Sequence, residues 1–93
     1  MAQSCHGPAP LGLSREEAWV LHAAVVRQLE RELEAGTDPT AVETLRARIE
    51  DCESLDSAHL DAAERALRSY LDDAPERDRP HAQAVLDYVR LHR

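Results

Sequence analysis

The chain has 93 residues, enough for one domain with a single modest core, since a chain of this size buries roughly 60–65% of its unfolded surface. Eighteen Asp and Glu oppose 11 basic residues, all of them Arg. The net charge of −7 excludes indiscriminate binding to nucleic acid or to an anionic membrane at ordinary ionic strength. An apolar fraction of 43% excludes a disordered chain, and no apolar run approaches the ~18 residues that a membrane span needs.

The kind of apolar residue is more telling than its amount. There is no Phe, one Trp, two Tyr, one Ile and six Val, while Ala and Leu dominate. Ala and Leu are strong helix formers, whereas strands prefer β-branched and aromatic side chains, so the composition predicts an all-α fold. Lys and Asn are absent. Such a composition suits a GC-rich genome, and the acid excess also suits a salt-loving cytoplasm in which salt screens carboxylate repulsion. The first residues lack the basic-then-apolar pattern of a signal peptide, so a cytoplasmic location is expected. Cys5 and Cys52 are then expected as free thiols.

Residues 1–12 hold Gly7, Pro8, Pro10 and Gly12 with little to bury, and are expected as a flexible tail ahead of one bundle domain over 13–93. Ser14-Arg15-Glu16-Glu17 has the form of a capping box, with Leu13 as a hydrophobic staple opposite Ala18. The first helix should run from about Arg15 to Ala35 and stop at Gly36. Eight of the nine residues from Ala18 to Val26 are apolar and the ninth is His22, so this helix should be central, with most of its circumference covered. Its second half narrows to a stripe of Val26, Leu29 and Leu33.

Asp38-Pro39 marks the second start, Asp38 as N-cap and Pro39 at the first helical position. Val42, Leu45, Ile49 and Cys52 are spaced 3, 4, 3 and form one face of a helix that should reach Asp51 or Cys52. Asp56 caps the third helix, with Leu55 stapled against Leu60, and the helix extends to about Asp73, burying Leu60, Ala63, Leu67, Tyr70 and Leu71. Asp61–Arg65, Glu64–Arg68 and Arg68–Asp72 stand at i,i+4 on its wet face. Pro75 ends it, with room for a helical turn over 75–77. A fourth helix should run from near Arg79, capped by Asp78, to about Leu91, burying Ala82, Val85, Leu86 and Val89. The fold expected is an all-α, compact four-helix bundle with a long central first helix, its helices alternating up and down across short connections.

The chemistry-bearing residues are sparse. Cys5-His6, Cys52, His59 and His81 lie at no spacing that presents paired zinc ligands, so no metal is expected. There is no GxSxG, no Gly-rich phosphate loop and no paired carboxylate framed by apolar residues. A bundle of this size has little room for a preorganised pocket, so neither an enzyme nor a bound cofactor is expected. His22 is expected as a core or boundary histidine bonded to a neighbouring element, and His59 holds the third helical position, where Glu is commoner.

Two binding surfaces remain. The first helix is too apolar for three shorter ones to cover, and Trp19, Val20 and Val26 form a candidate patch for a second copy or an unknown protein partner. The alternative is a nucleic-acid surface on the last helix. Residues 77–93 carry Arg77, Arg79, Arg90 and Arg93 against two Asp, a local +2 that leaves −9 on residues 1–76. No polar base-reading residues align with those arginines, and Arg90 and Arg93 also suit a helix C-terminus on dipole grounds alone.

The opening Leu13-Ser14-Arg15-Glu16-Glu17-Ala18-Trp19 helix and the late Pro75-Glu76-Arg77-Asp78 segment before the last helix resemble a group of small, acidic, uncharacterised haloarchaeal proteins. The resemblance spans about residues 13–91. It implies a salt-loving source and a helical fold, and transfers no functional residue.

Overall fold

The start and stop signals of the sequence become four helices: α1 (Arg15–Ala35), α2 (Thr40–Glu50), α3 (Ser57–Asp73) and α4 (Arg79–His92), with a 3-10 turn at Glu76–Asp78 leading into α4. They are seen in a computed structural model that describes residues 13–51 and 53–92. The expected tail over 1–12, Cys5, Cys52 and Arg93 lie outside the described residues.

Local chemistry accounts for most of the helix ends. At the head of α1 the Glu17 amide donates to Ser14 Oγ at 3.1 Å and the Ser14 amide donates back to Glu17 Oε1 at 3.0 Å. Two otherwise orphaned donors are satisfied at once. Gly36 closes α1 with φ 76°, a left-handed conformation that costs glycine nothing, and the Thr37 amide reaches back to the Glu32 carbonyl at 3.0 Å. α3 repeats the opening box with a different partner. Asp56 Oδ1 accepts from the His59 amide at 3.0 Å, and His59 Nδ1 accepts from the Asp56 amide at 3.1 Å. The same Nδ1 lies 2.9 Å from Asp56 Oδ1, and the ring is buried. His59 therefore does what Glu17 does in α1.

Two starts differ from the sequence reading. α2 begins at Thr40, so Pro39 occupies the cap position, although Asp38 Oδ1 still accepts from the Thr40 amide at 3.0 Å and its hydroxyl at 2.6 Å. Asp78 does not serve as the expected cap of α4. It lies in the 3-10 turn, and its carboxylate accepts a 2.8 Å hydrogen bond from the Tyr70 hydroxyl. A buried tyrosine must place its O–H somewhere, and Asp78 is the acceptor within reach.

All four helices contribute to one core. Val20, Leu21, Ala24, Val25 and Leu29 of α1 meet Val42, Leu45 and Ile49 of α2, the Leu60–Ala63–Leu67–Tyr70 face of α3 and Ala82, Val85, Leu86 and Val89 of α4. Ala62, Ala63 and Ala66 are buried with them, and these short side chains let α3 approach α1, α2 and α4 closely. α1 shares the central place expected for it alone: α1 and α3 each pack on all the other helices, while α2 and α4 scarcely meet.

Ion pairs fix how α1 and α3 lie together. Arg27 and Arg31 both reach Asp73 Oδ2, at 2.7 and 2.9 Å, Arg31 also donates to Ser69, and Arg65 stands 3.8 Å from Glu32. Pairing 27 with 73, 31 with 69 and 32 with 65 runs the two helices in opposite senses at their contact. Strict up-and-down alternation would make them parallel, so the chain departs from it between α2 and α3. Extents of 35 × 27 × 26 Å fit crossing helices better than an elongated bundle.

Candidate interaction surface

The patch proposed from the sequence is only partly on the surface. Val20 is 3% exposed and belongs to the core, which corrects its assignment to the patch. A residue immediately after Trp19 is turned about 100° round the helix, and here that turn carries it from solvent to the interior. Trp19 itself is 71% exposed and Val26 is half-buried. Leu33, expected in the buried stripe, is instead 59% exposed.

Those three residues share a line. Trp19, Val26 and Leu33 are each seven apart, and a straight helix drifts only about 20° per seven residues, so they form one stripe along α1. The core face of α1 lies opposite, through Val20, Ala24, Leu21 and Val25. α2 is 11 residues long against 21 for α1, so it can shield only about half of its neighbour's length. Exposed Glu16, Glu30 and Glu34 border one side of the stripe.

The Trp19 end has defined geometry. The indole stacks on the His22 ring, with centroids 6.1 Å apart and planes inclined by 28°. His22 Nε2 donates to Glu50 Oε2 of α2 at 2.9 Å. His22 is thus the boundary histidine bonded to a neighbouring element that the sequence suggested. That bond holds the Glu50 carboxyl below its ordinary value, with a smaller contribution from Arg46 one turn earlier on α2. The arrangement can support an aromatic contact residue and tie two helices.

The arginines of the alternative surface are mostly engaged within the fold. Arg79 donates to the Leu71 carbonyl at 2.9 Å, and Arg90 Nε lies 3.2 Å from Glu64 Oε2. Both turn towards α3, where a carboxylate offsets the charge of Arg90. Arg77 is exposed in the 3-10 turn, and Arg93 lies outside the described residues. A second exposed apolar spot is Leu91, 82% exposed, beside a Tyr88–His92 ring stack with centroids 4.2 Å apart.

Sequence reasoning missed two features here. Leu33 looked like core because its spacing continues that of Leu29, yet one turn on it stands on the outer stripe with Trp19 and Val26, turned away from the core face. The Trp19–His22 contact was legible as an i,i+3 pair on one helix face, a spacing that brings rings together. Among the described residues no group of three His, Cys, Asp or Glu side chains is gathered to hold a metal, and no helix is long and apolar enough to cross a membrane. No curated protein and no solved structure matches the chain. A family model described as Family of unknown function (DUF7853) matches residues 11–90, nearly the whole sequence, and the chain belongs to that family.

Proposed function

We propose that the protein is a small non-enzymatic interaction module whose contact surface is the outer stripe of α1. The observation that carries this reading is the pairing of a 71% exposed Trp19 with a 59% exposed Leu33 on one line of a helix whose other face is fully packed. Large apolar side chains aligned on a monomer's surface mark contact sites, and Trp is the residue most enriched at their energetic centres. The occupant is a second copy of the chain or another protein with an apolar helix face. The setting is a salt-rich cytoplasm, a reading supported by 18 acidic residues and the absence of Lys. Low salt should then weaken the fold through unscreened carboxylate repulsion.

The test is the oligomeric state of the purified protein at native salt, with a pull-down of tagged protein from its own cytoplasm treated with nuclease. A dimer or a nuclease-resistant partner, lost in Trp19→Asp while the melting curve is kept, is the expected result. A monomer whose only captured material disappears with nuclease overturns it and moves attention to the Arg77–Arg79 end of α4.

A further inference from the structure

We infer that His22 is a proton-sensitive prop that sets how Trp19 is presented on the α1 face. The inference rests on the reading of that face as a contact surface and adds its regulation. Three facts of geometry support it. Trp19 has little else to hold it, being 71% exposed, and its ring neighbour is His22 at 6.1 Å. His22 is fixed in turn by its 2.9 Å bond to Glu50 across the α1–α2 boundary. Its side chain keeps 30% exposure, so protons reach it from solvent.

The electrostatics give the direction. On α2 the charged groups beside His22 are Glu50, in contact, and Arg46, one turn away and acting on Glu50. On α1 its neighbours at three and four residues are Ala18, Trp19, Val25 and Val26, none charged, while Arg15 lies two turns back. α3 meets the other flank of α1, at Arg27 and Arg31. Neutral His22 gives Glu50 a hydrogen bond and stacks on the indole as one ring on another. Protonated His22 gives Glu50 an ion pair and presents a cation to the π-face, which holds the indole more tightly. Histidine is the side chain whose ordinary titration falls in the physiological range. Mild acid therefore fixes Trp19 against the helix, and neutral pH frees it.

Trp19 is the only tryptophan, so selective excitation of its indole reports on this contact in the free protein. Emission measured from pH 8 to pH 5 on dilute wild type should fall with one inflection. His22→Gln should lose the inflection, while far-UV circular dichroism shows the two proteins equally helical. Emission flat with pH in wild type, or an inflection surviving in His22→Gln, overturns the inference. These readings need no partner, so they fail independently of the contact-surface reading, which stands or falls on Trp19→Asp and capture. Where both hold, capture by wild type should differ between pH 7.5 and pH 6 and capture by His22→Gln should not.

Discussion

α1 and α3 lie side by side at the centre of the fold, and they use their apolar residues in opposite ways. α1 carries the larger side chains and leaves Trp19 and Leu33 in solvent. α3 relies on Ala62, Ala63 and Ala66 beside Leu60, Leu67 and Tyr70, and the whole set is buried. The difference lies in what surrounds each helix. α3 is wedged among three helices whose approach its alanines permit, whereas the outer side of α1 faces nothing beyond the short α2. Burial here follows position in the packing, and hydrophobicity alone mispredicts it.

The sharpest break of that comparison is made within α1. Leu21 is 1% exposed, and Leu21→Ala should cost about 2–5 kcal/mol through lost burial and a residual cavity. Leu33→Ala, the same change on the outer stripe, should stay within about 0.5 kcal/mol of wild type. Thermal or urea unfolding of both variants decides it, and equal losses would mean that the outer stripe is covered by another part of the fold. In α3 the complementary change is Ala63→Leu. With Ala63 at 0% exposure, the added atoms must push neighbouring helices apart, at about 1–3 kcal/mol, and a melting point equal to wild type would show that α3 is not tightly wedged.

What the sequence disclosed follows the range of the interactions involved. The bounds of α1 were legible to the residue because Ser14, Glu17 and Gly36 act within four or five positions of one another. The core faces of α2, α3 and α4 were legible because helical spacing is local. Val20, Leu33 and Asp78 were misread because each depends on distant elements: the depth of α1 in the core, how far round α1 its neighbours wrap and the position of the Tyr70 hydroxyl. The opposed run of α1 and α3 shows in the pairing of Arg27 and Arg31 with Asp73, 42 to 46 residues apart, and no local pattern announces it. His59 was passed over because the capping-box pattern expects Glu or Gln at that position, and a ring nitrogen takes the place of the carboxylate.

Tyr70 links the buried side of α3 to the turn before α4, and its loss should be smaller than a core truncation. Tyr70→Phe keeps the ring and removes the bond to Asp78, so about 0.5–1.5 kcal/mol should be lost near neutral pH. Burial first, and the Asp78 bond second, raise the Tyr70 pKa above its ordinary value of 10.0. The corresponding stability is fully present below pH 10.0 and is lost as pH rises through the higher folded value. The alkaline fall in melting temperature should therefore be shallower in Tyr70→Phe than in wild type. Equal alkaline slopes would mean that the hydroxyl is neither buried nor held by Asp78.

The smallest effect belongs to the acid side and to the tie between α1 and α2. Glu50 is held below its ordinary value of 4.5 by the His22 bond, Asp38 below 3.8 by the Thr40 hydroxyl and amide, and Asp56 below 3.8 by the His59 amide. A carboxyl with a lowered folded pKa stabilises the fold above its unfolded value, and that contribution disappears as pH falls through the folded one. All three act in the same direction, so the melting temperature should hold down to about pH 4.5 and decline below it. These groups are exposed and screened by solvent, so each share is small. Glu50→Gln should remove one share and make the decline shallower. Because Glu50 ties α2 to the Trp19 side of α1, the same variant should leave the Asp38 and Asp56 shares untouched. A decline as steep as wild type would show that the His22–Glu50 bond does not join the two helices, and that the α1 face is set by its core packing alone.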